Sequence, residues 1–289
     1  MATAPLAVLD RDAPMSTQTY QNLCAMIHRH SRIHLGPNKV NLLTSRLVKR
    51  RRELGLASWE DYAQWLILHQ GDEIDTLIDL VSTNHTHFFR ESVHFEILKS
   101  DLLGPLLRDS PTARQGLQCW SAACSSGEEP FTLAMVLNEY AEQKHPGLAW
   151  QITATDISSR ALQKAHQAVY DSKSLALPDP AFLPKYFQKG SGPFEGFCKV
   201  KSEWQKKVSF RRMNLFGPAY NIPQPQHLVF CRNVLIYFEI DSQTELIQRL
   251  HDTLEPGGFL IVGHSDSLMR IQHPFKSLGN GIYQKQTTT

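Results

Sequence analysis

Residues 124–130, Cys-Ser-Ser-Gly-Glu-Glu-Pro, combine minimal side-chain bulk with two carboxylates, so a ligand can lie directly against the backbone there. The stretch follows an apolar run, Leu117–Ala122, that reads as a buried strand. Pro130 suits the first turn of a helix, where its missing N–H costs nothing. Strand, tight loop and helix N-terminus together make the usual nucleotide cradle of α/β folds. Glu128 and Glu129 set this cradle apart. A phosphate-binding loop would not place two carboxylates beside its anion, and neither G-x-G-x-x-G nor G-x-x-x-x-G-K-[ST] occurs. The loop therefore suits a ligand with hydroxyls or positive charge and no phosphate. S-adenosylmethionine, a nucleoside carrying a sulfonium and an ammonium, fits that description. One of the two acids is expected to meet the ligand's ammonium or the loop backbone, the other to cap the helix.

Asp156 ends the next apolar run, Trp150–Thr155, twenty-nine residues after Gly127. At the carboxyl edge of a parallel sheet an acid in that place accepts both ribose hydroxyls. Capping the helix that starts near Ser158 is its competing role. Arg232 and Asn233 follow a further strand, His227–Cys231, at the same edge, with Tyr237 one helical turn beyond. An aromatic ring near a sulfonium is favourable by roughly 0.5–2 kcal/mol, against core packing as the ordinary explanation.

These residues need a sheet to position them. From Ser16 to about Ser100 the apolar spacing is helical and predicts a small bundle, preceded by a loose tail over residues 1–15. The polar stretch 106–116 reads as a linker. Beyond it strands and helices alternate, which predicts a mainly parallel sheet with helices on both faces. Gly279-Asn280-Gly281 marks a closing antiparallel hairpin. The rhythm breaks over 184–213, where glycines and short alternating stretches predict a β insertion standing off the sheet.

The chain of 289 residues is 42% hydrophobic, with no run long enough to span a membrane and no signal-peptide layout. Five scattered cysteines without a C-x-x-C pair read as reduced thiols of a cytoplasmic protein. The dispersed histidines predict no metal site. The net charge of +2 hides an asymmetry: residues 1–54 carry nine Lys/Arg against three acids. Such a patch implies an acidic partner, whether nucleic acid, membrane surface or protein, unless it is merely a solvated face.

Thr83–Glu91 (TNHTHFFRE), Trp120–Pro130, Ala154–Ile157, Asn214-Leu215, Phe230–Phe238 and Gly263–Ser265 occur in one order with compatible spacing. On these residues the chain, from about Ser16 to Tyr283, resembles the chemotaxis receptor methyltransferases (CheR). That family methylates glutamate side chains of bacterial chemoreceptors with S-adenosylmethionine, leaving S-adenosylhomocysteine. Asp266 departs from the family's usual Glu, a change expected to matter little. The resemblance implies an S-adenosylmethionine-dependent methyltransferase sheet over 117–289, mostly parallel with an antiparallel C-terminal hairpin. It also implies an N-terminal helical domain over 16–105. Asn84, Thr86 and Arg90, on the seam between the two, would then reach the cofactor along with Glu128, Glu129, Asp156, Arg232 and Asn233. Asn214 and Leu215 would take the adenine. Arg90 and Tyr237 are the residues expected to hold the acceptor carboxylate, which needs no general base because it is already ionised at neutral pH.

For partners, the resemblance implies that Lys39, Arg46, Lys49, Arg50 and Arg52 meet the cytoplasmic helices of methyl-accepting chemoreceptors. Gly190 and Gly192 would lie in a β subdomain that in some members tethers a receptor C-terminal peptide by strand addition. A monomer without nucleic-acid partner or membrane insertion is expected. The alternatives are an RNA or DNA methyltransferase with the basic helix on phosphate, and a non-catalytic receptor-binding adaptor. The first lacks the Asn/Asp-Pro-Pro-aromatic motif for base amines; intact Arg90, Asp156 and Tyr237 argue against the second.

Overall fold

The structure is a computed structural model that describes residues 14–287. The chain divides into two compact units, Met1–Thr83 and Asn84–Thr289. Most of the tail expected over 1–15 lies outside the described residues; within it, Met15 is buried.

The first unit contains α1 (Thr17–Ser31), α2 (Val40–Glu53), α3 (Trp59–Leu68) and α4 (Gln70–Val81). Apolar residues three and four apart give each helix one buried stripe, including Leu23 and Ile27, Leu43 and Leu47, Tyr62 and Leu66, and Ile74, Leu77 and Ile78. Local sequence fixes the starts. Ser16 Oγ accepts from Thr19 N, and Ser58 with Asp61 closes a reciprocal capping box at the head of α3. Arg51, alone among the basic run, is fully buried with its guanidinium 4.4 Å over the Trp59 ring.

The second unit opens with α5 (Val93–Ile97), which runs through a widened turn at Leu98–Leu102 into α6 (Leu103–Asp109). Next come α7 (Pro111–Gln115), β1 (Leu117–Ala122), α8 (Glu128–Lys144), β2 (Trp150–Asp156) and α9 (Ser159–Gln167). They are followed by β3 (Val169–Asp171), α10 (Phe182–Tyr186), β4 (Phe187–Lys189), β5 (Phe197–Val200), α11 (Ser202–Gln205) and β6 (Val208–Arg212). The chain closes with β7 (Gln226–Cys231), α12 (Ile240–Thr253), β8 (Leu254–Val262), β9 (Phe275–Gly279) and β10 (Ile282–Lys285).

Seven of these strands form one sheet in the order β6-β2-β1-β7-β8-β10-β9. The first five are parallel, and β10 and β9 close it antiparallel through the Asn280 hairpin. The period of two sends alternate residues to opposite faces. Leu117 and Cys119 of β1, Leu228 and Phe230 of β7, and Phe259 and Ile261 of β8 join one apolar core. Trp120 and Ala122, Val229 and Cys231, and Leu260 and Val262 join the other. The strand order reverses between β1 and β7, and ligands of open parallel sheets bind outside the carboxyl ends at such a reversal.

Two expectations need correction. The stretch 106–116 is no linker: α6 and α7 occupy it, with Leu106, Leu107 and Ala113 buried in the core of the second unit. Ser110 caps α7 by accepting from Ala113 N, so the serine and proline that looked like linker residues are a helix start. Accordingly the helical domain expected over 16–105 extends beyond the first unit. The insertion is also displaced from 184–213. Its three-stranded sheet, ordered β3-β5-β4, starts at Val169, whereas β6 pairs in parallel with β2 from Ile152↔Val208 to Asp156↔Arg212.

Candidate active site

The loop leaving β1 turns through left-handed backbone at Ala123, Ser125 and Gly127. Glycine is required at the last of these. Its φ is +95°, and a Cβ would come within 3.0 Å of the Ala165 Cβ and the Tyr170 hydroxyl. Asp156, at the end of β2, is buried and accepts from two backbone amides, Ser125 N at 2.7 Å and Ser158 N at 2.8 Å. It therefore braces the β1 loop and the start of α9 together. The side-chain cap of α9 is Ser158 itself, which accepts from Ala161 N. Asn84 reaches the same place: its carbonyl accepts from Ser125 Oγ at 3.0 Å and its amide donates to Ser158 Oγ at 3.4 Å.

The two acids of the loop differ. Glu128 accepts from Ser126 Oγ at 2.7 Å. Glu129 accepts from Ser121 Oγ at 2.7 Å and from Arg232 Nη1 at 3.1 Å. Burial pushes both carboxyls above the ordinary range, at Glu129 against the pull of the Arg232 charge. Arg232, just past β7, has a side chain only 2% exposed. Its Nη2 donates to the Arg90 carbonyl and, at 3.1 Å, to Glu91 Oε2. Its Nε is buried without an acceptor among the described residues. Removing a guanidinium from water costs several kcal/mol, so two acids and a carbonyl around it are what make the burial tolerable.

Glu91 joins several loops. Its carboxylate also accepts from Asn233 Nδ2 at 3.0 Å and from His264 N at 3.2 Å. Burial opposes its ionisation, yet the Asn233 hydrogen bond and the Arg232 charge hold it below the ordinary value. His94 lies beneath with Nδ1 3.5 Å from Glu91 Oε2 and Nε2 on the Asn280 carbonyl; burial and the Arg232 charge lower its pKa to about 4. Glu91, His94 and His264 bring their ligating atoms within 4.8 Å of one another. Arg232 already stands 3.1 Å from the Glu91 oxygen, so the chemistry of that cluster is charge pairing and a cation would meet repulsion there.

Arg90 is half-buried and donates to the His85 carbonyl at 2.7 Å, between left-handed Phe89 and Glu91. Thr86 is half-buried on the same segment. Asn214 follows β6 and closes its own turn by accepting from Phe216 N at 2.9 Å; Leu215 is buried in the core holding Trp120 and Val229. Tyr237 ends a single 3₁₀-helical turn, Leu235–Tyr237. The hydrogen bonds thus join Asn84, the β1 loop and Asp156 in one group, and Arg90, Glu129, Arg232 and Asn233 in another. Glu91, whose carboxylate joins these loops, was not among the expected site residues, although it is an acid directly after Arg90.

Lys39, just ahead of the basic helix α2, and Lys49 and Arg52 on it are exposed. Arg46 donates to Val81 O and Thr83 Oγ1, and Arg50 makes a two-pronged pair with Glu73, so these two are engaged within their own unit. Gly190 and Gly192 lie in the loop between β4 and β5, which exposes Phe194.

A sheet that reverses at β1/β7, with a small-residue, acid-flanked loop over that point, defines the nucleoside-binding class of methyltransferases. The sequence places the chain within it: residues 84–283 match the family described as CheR methyltransferase, SAM binding domain, and residues 18–82 match CheR methyltransferase, all-alpha domain. The chain belongs to the CheR methyltransferase family. It is 34% identical over 283 residues to the chemotaxis protein methyltransferase of Salmonella typhimurium, covering 97% of this chain and 94% of that one. It is equally 34% identical to the Escherichia coli protein of the same name, covering 97% and 95%. Chemotaxis protein methyltransferase 1 of Pseudomonas aeruginosa is 37% identical over 82% of this chain and 85% of its own.

Proposed function

We propose that the chain transfers a methyl group from S-adenosylmethionine to glutamate side chains on the cytoplasmic helices of bacterial chemoreceptors, acting as a cytoplasmic monomer. The observation that carries this reading is the acid-flanked Gly127 loop braced to Asp156 in a chain of the CheR methyltransferase family. The residues present fit the nucleoside. The loop is too acidic for phosphate, Glu128 is a half-buried carboxylate suited to an ammonium, and the buried Arg232 Nε is an unspent donor for a carboxylate. Asp156 would take the ribose hydroxyls, Asn214 and Leu215 the adenine, and Asn84 and Thr86 the methionine end. When bound, the cofactor supplies an electrophilic methyl group on sulfur.

The chain's own work is orientation and exclusion of water. A glutamate carboxylate, with an unperturbed pKa of about 4.3, arrives ionised. Arg90 cannot act as a base, since guanidinium stays protonated, but it can fix the incoming carboxylate beside Tyr237. Alignment of this kind is worth up to about 7–11 kcal/mol in favourable intramolecular cases. Glu129 and Asn233 serve the site indirectly, through their bonds to Arg232 and Glu91.

On the partner side, Lys39, Lys49 and Arg52 would steer the acidic receptor helices, with Arg46 and Arg50 setting the helix that carries them. Edge strand β4 borders a groove of about 720 Å³ lined by Lys189, Lys199 and Lys201. A receptor C-terminal peptide would add a strand there, its carboxylate toward the lysines. Labelled methyl transfer to receptor fragments and to RNA tests the reading. A base-labile ester on glutamate is the expected product, and label confined to RNA would refute it.

A further inference from the structure

Asp266 lies three residues past Gly263 at the outlet of β8 and is only 4% exposed. Its Oδ2 accepts from Asn233 N and, at 3.0 Å, from Gly263 N, while Oδ1 accepts from Ile236 N at 3.4 Å. One carboxylate thus gathers backbone donors from two loops that belong to different strands. Asn233 is held at both ends, its amide N by Asp266 and its side chain by Glu91, in a left-handed conformation with φ +57°. Asn accepts such backbone more readily than most residues, and here the two carboxylates grip it from both sides. Gly263 completes the fit, because a Cβ there would lie 2.5 Å from Asn233 Nδ2.

We propose that Asp266 is a positioning residue for methyl transfer: it holds the 232–237 segment, and through Asn233 and Glu91 the turn that carries Arg90, in working geometry. The claim rests on the methyltransferase reading above. The carboxylate is a poor choice for stability alone. Burial pushes its pKa up to about 6 despite three N–H donors, with Glu91 of the 84–91 turn adding repulsion and the Cys231 thiol of β7 also facing it. A folded pKa above the unfolded value means that ionisation weakens the fold as pH rises through that window. The charge therefore costs stability while it organises the site.

Asp266→Asn keeps size and removes charge, and its NH₂ would oppose one of the backbone donors. It is expected to melt no lower than wild type near neutral pH while kcat for receptor methylation falls roughly ten- to a hundredfold. Wild type and variant should converge as pH drops below about 6, where Asp266 is itself protonated. Asp266→Glu, which keeps the carboxylate, should restore most of the rate. Amide exchange at Asn233 and Ile236 should quicken in Asp266→Asn but not in Asp266→Glu. A kcat within twofold of wild type across the pH range, or a rate loss that simply follows a lowered melting temperature, would overturn the assignment. Wild type without receptor methylation would instead sink the function on which it rests, and the amide exchange would still decide whether the clamp exists.

Discussion

Arg90 and Arg232 separate two uses of the same side chain. Arg90 is half-buried with one bond to the His85 carbonyl, which leaves donors for a ligand. Arg90→Ala is expected to fold normally and lose methyl transfer by roughly a hundredfold, the scale for removing one group that stabilises developing or incoming charge. Near-normal turnover by the folded variant would remove it from the mechanism. Arg232 is the opposite case. Arg232→Ala would strand Glu91 and Glu129 as buried charges, and breaking such a network costs about 3–5 kcal/mol. A chemical denaturation midpoint unchanged from wild type would contradict that. The sequence marked Arg232 as a contact at the sheet edge but could not reveal its burial. Its partners lie 141 and 103 residues away, and no local pattern links them.

At the scale of elements, Lys39 at the head of α2 and Lys49 and Arg52 on it are exposed, whereas Arg51 is buried on Trp59. Reversing the three exposed charges to Glu should lower kcat/KM for receptor helices roughly tenfold, more at low salt. Affinity for S-adenosylmethionine, measured by calorimetry, should stay the same. An equal effect on both would mean that the helix is structural. The parallel strands were legible as apolar runs because both faces of the sheet are covered. The edge strand β6 was not. Its Arg211 and Arg212 are exposed, and with the glycine-rich stretch before it the segment read as part of the insertion. Helices α6 and α7 were hidden for a related reason: each is short, and a serine and a proline between them look like a break until Ser110 is seen capping.

Over the whole molecule, the buried titratable groups set an acid limit. His94 is neutral in the fold, with its pKa lowered to about 4 from 6.5 by burial. The unfolded chain takes up that proton first as pH falls, so stability should decline between about pH 6.5 and 4. Asp266 has the opposite sign, since the fold favours its protonated form below about 6. The decline should therefore be steeper in Asp266→Asn than in wild type, as read from denaturation midpoints against pH. A decline of equal slope in both would show that Asp266 titrates normally. The alternation of strands and helices made the fold class readable, because a parallel sheet covered on both faces leaves that pattern in sequence. The carboxylate clamps on Arg232 and Asn233 left none. Cofactor binding is expected at one place, the carboxyl edge of the sheet where the Gly127 loop meets Asp156. A crystal structure with S-adenosylhomocysteine tests it most directly. The nucleoside should lie over that loop with its ribose hydroxyls on Asp156; density elsewhere, or none at saturating ligand, would contradict it.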